Sequence, residues 1–345
     1  MSRFRALAAL AVGSALVLSG CAGTTAASGG SDASSSSASD AFPVTIDHAF
    51  GETTIPAEPK RVVAVSWGNQ EAALALGVVP VAMPKVTWGD EDGDGLLPWV
   101  KDKLDELGAE TPTLMDETNG FDYEAIADAK PDVILGAYSG MTQEQYDTLS
   151  KIAPVVAFPE IAWGTSWQRM TLTDAKALGR EAQAEELVSD LESHVTKEAA
   201  KYPALAGKKT LFTYLDPTDL STLGYYSLKD PRALYLSELG MTPSSAVETS
   251  SKDSETFWFT QSTENIETFS DVDVIVGYGT PELLTQLQGD PLWSRIPAIK
   301  TGAFATLTDN TTMAAAANPS PLSIGTSYGD AYIATVGEAA AKAGS

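Results

Sequence analysis

Ser327 stands in Gly325-Thr-Ser327-Tyr-Gly329, the G-x-S-x-G spacing in which a serine hydrolase holds its nucleophile on a sharp strand-to-helix turn. That triad needs a histidine later in the chain than the serine, and the only two histidines, His48 and His194, both precede it. The motif also follows the loop Asn318-Pro-Ser-Pro321 instead of an apolar strand, so acyl transfer lacks its base and its platform. Two histidines and one cysteine do not supply the converging imidazoles or thiolates that bare zinc or manganese takes. His48 is expected on the surface of a hairpin and His194 on the surface of a helix. There is no G-x-x-x-x-G-K-[ST] and no G-x-G-x-x-G after a strand, so nucleotide cofactors have no support. No catalytic residue, cofactor or protein-held metal is expected.

What remains is an aromatic set that binds rather than reacts. In open α/β sheets ligands sit beyond the carboxyl ends of the strands. Those ends carry Ser66-Trp67, Lys85-Val-Thr-Trp88, Tyr138-Ser139, Tyr214 and Tyr278, and nearby loops add Trp163, Trp167, Tyr225, Tyr226, Arg232, Trp258 and Phe259. Rings with polar handles and few charges suit a bulky, partly apolar ligand with polar edges. The expected ligand-binding residues are Trp67, Lys85, Trp88, Tyr138, Ser139, Tyr214, Tyr225, Arg232, Trp258 and Tyr278, with Lys85 and Arg232 placed to meet an anion. The other reading, that about half of these rings are core, stays open; Trp99 and Trp293, inside helical stretches, are assigned to the core.

The elements that position this set alternate. Val44 and Ile46, then Thr53 and Ile55, flank His48-Ala49-Phe50-Gly51 as a small hairpin. Short apolar runs at 61–66, 78–83, 132–137 and 154–158 read as strands, with helices at 69–76, 98–107, 123–129 and 142–151. From Ser166 to Tyr202 there is no proline, and the apolar period predicts one long helix with a kink near Gly179. The pattern then resumes with strands near 209–215, 273–278 and 303–308 and helices near 231–238, 264–269, 281–287 and 327–342. The expected fold class is therefore α/β, with two Rossmann-like lobes, 42–164 and 204–345, joined by a helix over 165–203. The lobes echo each other: Glu124-Ala-Ile126, Asp132-Val-Ile-Leu-Gly136 and Tyr138 in the first match Glu264-Asn-Ile266, Asp273-Val-Ile-Val-Gly277 and Tyr278 in the second.

The N-terminus gives an address. Arg3 and Arg5 precede an apolar run from Ala6 to Leu18, too short to span a bilayer, and Leu18-Ser19-Gly20-Cys21 follows at once. This resembles a secretory signal peptide (1–20) ending in a bacterial lipobox, with Cys21 as the lipidated N-terminus of the mature chain. As Cys21 is the sole cysteine, no internal disulfide is possible. The Gly-, Ser- and Ala-rich stretch to residue 41 reads as a tether too polar to fold. The formal charge of −24, more negative still once Arg3 and Arg5 leave with the leader, repels nucleic acid.

With these pieces assembled, the chain from Phe42 onward resembles the substrate-binding lipoproteins of iron-siderophore ABC importers, a family that includes ferrichrome, ferric citrate and cobalamin binding proteins. The stretches that carry the resemblance are Arg61-Val-Val-Ala-Val, Ala75-Leu-Gly-Val-Val-Pro-Val81, Asp122-Tyr-Glu-Ala-Ile-Ala, Lys130-Pro-Asp-Val-Ile-Leu135, Ile152-Ala-Pro-Val-Val and Asn318-Pro-Ser-Pro. The resemblance implies the class III binding-protein architecture, modest lobe closure, and a ferric siderophore whose iron is held by the chelate. It further implies an ABC permease and its ATPase as partners, with Glu124 and Glu264 as the docking glutamates. A monomer anchored by lipid to the extracytoplasmic face of the cell membrane follows. The scarcity of cleft cations favours a hydroxamate or mixed chelate over a triscatecholate. Haem or cobalamin as cargo is the nearer alternative, and a surface siderophore hydrolase the more distant one.

Overall fold

The computed structural model describes residues 42–344; the leader, Cys21 and the tether lie outside the described residues. The hairpin forms as β1 (Val44–His48) and β2 (Gly51–Ile55), antiparallel with Val44 opposite Ile55. Strand parity puts His48 on the same inward face as Ile46. It is therefore not a surface residue: it is 6% exposed, and its Nε2 lies 2.9 Å from the Thr53 hydroxyl and 3.3 Å from that of Tyr146.

In the first lobe β3 (Val62–Ala64), β4 (Ala82–Pro84), β5 (Thr113–Met115), β6 (Val133–Leu135) and β7 (Val155–Val156) form one parallel sheet in the order β5-β4-β3-β6-β7. β3, β4 and β6 are buried throughout, as expected of strands covered by helices on both faces. The helices Asn69–Ala75, Pro98–Glu106, Tyr123–Asp128 and Gln143–Leu149 make the connections. The run at 78–83 is strand only from Ala82, because the Gly77 and Val78 amides turn back to close the preceding helix on the Leu74 and Ala73 carbonyls. β5 was not expected from the sequence. Strand order reverses at β3 and β6, which opens a crevice beyond their carboxyl ends.

The segment expected as a single helix is two, Trp167–Leu178 and Glu181–Ala199. They part where the kink was placed. Gly179 adopts φ 65°, the left-handed conformation that ends a helix, and the next helix starts from Arg180.

In the second lobe β8 (Lys209–Tyr214), β9 (Thr222–Tyr226), β10 (Thr242–Pro243), β11 (Trp258–Ser262), β12 (Val274–Gly279) and β13 (Phe304–Thr308) form a six-stranded sheet in the order β11-β9-β8-β12-β13, with β10 beside the start of β8. β8, β12 and β13 are parallel, while β9 and β11 extend the sheet antiparallel, an addition the sequence reading lacked. The echo between lobes has a structural cause. The Asp132 carboxylate accepts the Lys60 and Arg61 amides (2.8 and 2.9 Å) where β3 begins, and that of Asp273 accepts the Lys209 amide (2.9 Å) where β8 begins. Each aspartate locks its strand to the central neighbour.

After β13 the chain returns to the first lobe before its last helix, Ser327–Lys342. Ala315 and Ala316 pack with Leu74, Met83 and Trp99 of the first lobe. The Gly89 amide bonds to Asn310 Oδ1 (2.7 Å), the Thr312 amide to Glu91 Oε2 (2.9 Å), and the Ser320 hydroxyl to Glu71. Among the described residues no helix is long and apolar enough to cross a membrane.

Candidate functional site

The floor of the crevice is built by one amide. Asn69 Nδ2 donates to the Val65 carbonyl (2.7 Å) after β3 and to the Tyr138 carbonyl (3.0 Å) after β6, while its Oδ1 accepts the Tyr138 amide (3.0 Å). This staple sets the loops bearing Trp67 and Tyr138 side by side. Ser66 is held at φ 63°, rare for a residue with a side chain, and its amide bonds to Glu117 Oε2 (2.8 Å). Trp163, at φ 58°, lies edge-on to Tyr138 with ring centroids 5.3 Å apart. Its indole passes where a Cβ on Gly140 would stand, 2.1 Å from Nε1, so any side chain at 140 would displace that ring.

The second lobe supplies the opposite wall. Tyr226 and Tyr278 both pack edge-on against Phe212, at 5.5 and 5.2 Å. Arg232 lies over the Tyr226 ring, 4.0 Å from its centroid. Trp88 bridges the lobes, edge-on to Trp67 at 6.2 Å and to Tyr278 at 5.3 Å, with its indole N–H donated to Asp309 Oδ1 (3.2 Å). Asn318 Nδ2 donates to the Tyr138 hydroxyl (3.2 Å). Together with Trp163 and Phe257 these side chains line a cavity of about 340 Å³.

Its electrostatics are those of a neutral box with donors. Burial works against the Arg232 charge, but Asp230, bonded to Nε at 2.8 Å and Nη2 at 2.6 Å, more than offsets this and keeps the guanidinium protonated. Asp230 is itself fully buried and, among the described residues, pairs with no other cation, so the pair adds no net charge. Burial pushes the Tyr138 and Tyr278 phenols above their ordinary range, and both stay protonated. Among the described residues the Tyr278 hydroxyl lies near the Arg232 guanidinium but has no acceptor for its own proton, a group of the kind a ligand oxygen satisfies.

Of the sequence-predicted residues, the structure brings Trp67, Trp88, Tyr138, Arg232 and Tyr278 together on this cavity. Lys85 borders an adjoining one behind Trp67 and Trp88. Four do not line the cavity. Tyr225 points to the opposite face of β9, stacked on Phe259 with its hydroxyl on Ser250, because neighbours in a strand face opposite ways and Tyr226 takes the cleft side. Ser139 is fully buried, its hydroxyl donated to the Gly136 carbonyl (2.8 Å) to close the turn after β6. Trp258 backs Tyr226 at 4.7 Å. Tyr214, 47% exposed, ends β8 outside the cavity. Trp163 and Tyr226 belong to the aromatic set but not to the ten expected ligand-binding residues, and both line the cavity; Phe257 and Asn318 were missed there, with the Asn318-Pro-Ser-Pro stretch the available signal for the latter. Trp99 and Trp293 are core residues.

Glu124 and Glu264 are exposed in the first turns of Tyr123–Asp128 and Thr263–Phe269, behind Asp122 and Ser262, whose side chains accept the Ala125 and Glu264 amides. His194 lies beside Gly325 of the G-x-S-x-G run, its Nε2 2.8 Å from Asp330 Oδ1. Ser327 makes no hydrogen bond to it and opens a helix with no strand before it, so the nucleophile geometry is not formed.

Residues 62–311 match the model of the family described as periplasmic binding protein. The chain is similar to YfiY of Bacillus subtilis, a probable siderophore-binding lipoprotein, at 32% identity over 303 residues, 83% of this chain and 85% of the relative. It is similar to the Escherichia coli iron(3+)-hydroxamate-binding protein FhuD at 25% identity, over 72% of this chain and 79% of the relative. Among solved structures, PiaA of Streptococcus pneumoniae TIGR4 in complex with ferrichrome superposes with a TM-score of 0.83 at 43% identity, over 87% of this chain and 99% of PiaA.

Proposed function

This chain belongs to the periplasmic binding protein family, and from that premise we propose that it is the extracytoplasmic substrate-binding component of an ABC importer. It captures a ferric siderophore between its lobes and delivers it to the permease and ATPase for iron uptake. The observation that carries the reading is the ring-lined cavity with phenol donors and a charge-neutral Arg232–Asp230 pair. Aromatic area suits a bulky chelate, and donors aimed into a box without net charge suit the carbonyl and N–O oxygens of a neutral ferric trihydroxamate. A trianionic chelate would meet one guanidinium already matched by its own carboxylate. The protein performs no chemistry on its cargo. It acts as a monomer, held at the membrane by lipid on Cys21 after loss of residues 1–20, with residues 21–41 as tether.

Titration of the purified protein with ferric hydroxamate, ferric catecholate, ferric citrate, haemin and cobalamin tests this by tryptophan fluorescence. Saturable quenching by a ferric hydroxamate is expected, because Trp67, Trp88 and Trp163 line the cavity. Quenching by haemin or cobalamin alone would sink the siderophore reading. Haem is disfavoured on chemical grounds: the cavity holds no histidine, and burial keeps its tyrosines protonated and so unsuited to axial ligation.

Docking rests on Glu124 and Glu264. Exposed carboxylates presented one from each lobe supply the paired charges that set register at an interface. The double variant Glu124→Gln/Glu264→Gln is expected to lose iron uptake in cells while its siderophore Kd stays within a factor of two or so. A loss of affinity instead would remove the two residues from the docking surface.

A further inference from the structure

Behind the Trp67–Trp88 pair a second cavity of about 200 Å³ continues from the first, sharing both indoles with it. Its sides include Val86 and Leu97, and it is bordered by two polar groups whose hydrogen bonds are not all made. Gln70 is 4% exposed, yet among the described residues its Oε1 has no partner. Glu117 gives Oε2 to the Ser66 amide at 2.8 Å, while its buried Oε1 has none. A buried acceptor left unpaired is costly, and two beside one cavity mark a place where an incoming donor recovers that loss. Burial holds the Glu117 carboxyl up at about 7, so a cation beside it is the partner that makes its charged form favourable. Lys85 also borders the cavity, but it is exposed to solvent.

We propose that this side cavity is a second subsite, which takes a protonated amine on an aliphatic arm of the chelate, the stem against Val86 and Leu97 and the ammonium on Glu117 and Gln70. This rests on the siderophore reading and narrows it to chelates that carry a free amine beyond the iron-binding groups. Bonds from an ammonium to a carboxylate are among the stronger hydrogen bonds, and the loss of one lowers affinity about ten- to a hundredfold.

The test compares ferrioxamine B, a linear ferric trihydroxamate ending in a primary amine, with its N-acetyl derivative and with ferrichrome, by fluorescence titration of the parent and of Glu117→Gln. Glutamine keeps an acceptor for the Ser66 amide, so the fold is retained, and circular dichroism and the thermal unfolding transition check this. The expected result is that the parent prefers the amine over the acetylated form by about tenfold or more, and that Glu117→Gln abolishes the preference. Equal affinity for both forms, or binding of ferrichrome without ferrioxamine B, overturns the amine subsite and leaves the siderophore reading in place. Binding of none of the three sinks both.

Discussion

The Glu71→Gln protein is expected to unfold at the same denaturant concentration as the parent near pH 4 and at a distinctly higher one at pH 8. Glu71 sits in the first turn of Asn69–Ala75, entirely enclosed, and its Oε2 accepts the Trp99 indole N–H (2.7 Å) and the Ser320 hydroxyl. Burial raises its carboxyl to about 7, and the two donors offset only part of this. The folded state therefore keeps a proton that the unfolded chain releases at the ordinary carboxyl value. As pH climbs from about 4 to 7 the unfolded state binds fewer protons than the folded one, so stability falls through that window and levels off above it. The gap corresponds to about 3 kcal/mol in the parent at pH 8. Glutamine can offer both donors the same oxygen without a charge to bury. Glu117 and Asp174, whose carboxyls burial also raises, and carboxyls such as that of Asp271, which despite burial is lowered by bonding to Lys209, act alike in both proteins, so the difference between the two slopes reads Glu71. Urea midpoints at pH 4 and pH 8 measure the effect, and equal pH dependence in the two proteins would show that Glu71 titrates in the fold as it does in the unfolded chain.

Asp230→Ala carries the other large effect. The substitution removes both oxygens from the part-buried Arg232 guanidinium and also the cap on the Arg232 amide (2.9 Å). Leaving a fully buried cation without its partner costs about 3–5 kcal/mol; the Arg232 side chain keeps 15% exposure on the cavity wall, so the loss falls at or below the low end of that range, and the urea midpoint should drop. Removing the cation as well separates charge from packing. Asp230→Ala/Arg232→Met is expected to recover most of the lost stability, since no uncompensated charge remains, but not siderophore binding, since the donor over Tyr226 is gone. If the double variant is no more stable than the single one, the pair holds the fold by shape rather than by charge.

The parallel strands were legible because they are buried on both faces: Arg61-Val-Val-Ala-Val and Asp132-Val-Ile-Leu are unbroken apolar runs, and such a run has one reading between helices. β9 and β11 were not. Thr222–Tyr226 and Trp258–Ser262 mix polar and aromatic residues, and without a strand there was no parity by which to choose Tyr226 over Tyr225. His48 misled for a related reason, since a polar residue near a turn reads as exposed until its hairpin is seen packed against Tyr146. The aromatic character of the cleft was visible in the sequence, but Glu117 was not. Its place beside Trp67 depends on a single amide bond to Ser66, fifty-one positions away along the chain.

The return of the chain after β13 limits how this molecule can be divided. Residues 309–323 belong by order to the second lobe, yet Ala315 and Ala316 complete a core layer of the first, and Asn310, Thr312 and Ser320 fill hydrogen bonds that Gly89, Glu91 and Glu71 would otherwise lack. The two halves are thus unequal as modules. A hybrid made by exchanging everything past the helical link between relatives carries part of the recipient's own interior with it, so inheritance of ligand preference by lobe shuffling is tied to compatibility at this seam. Change of cargo is left chiefly to point substitutions in the cleft.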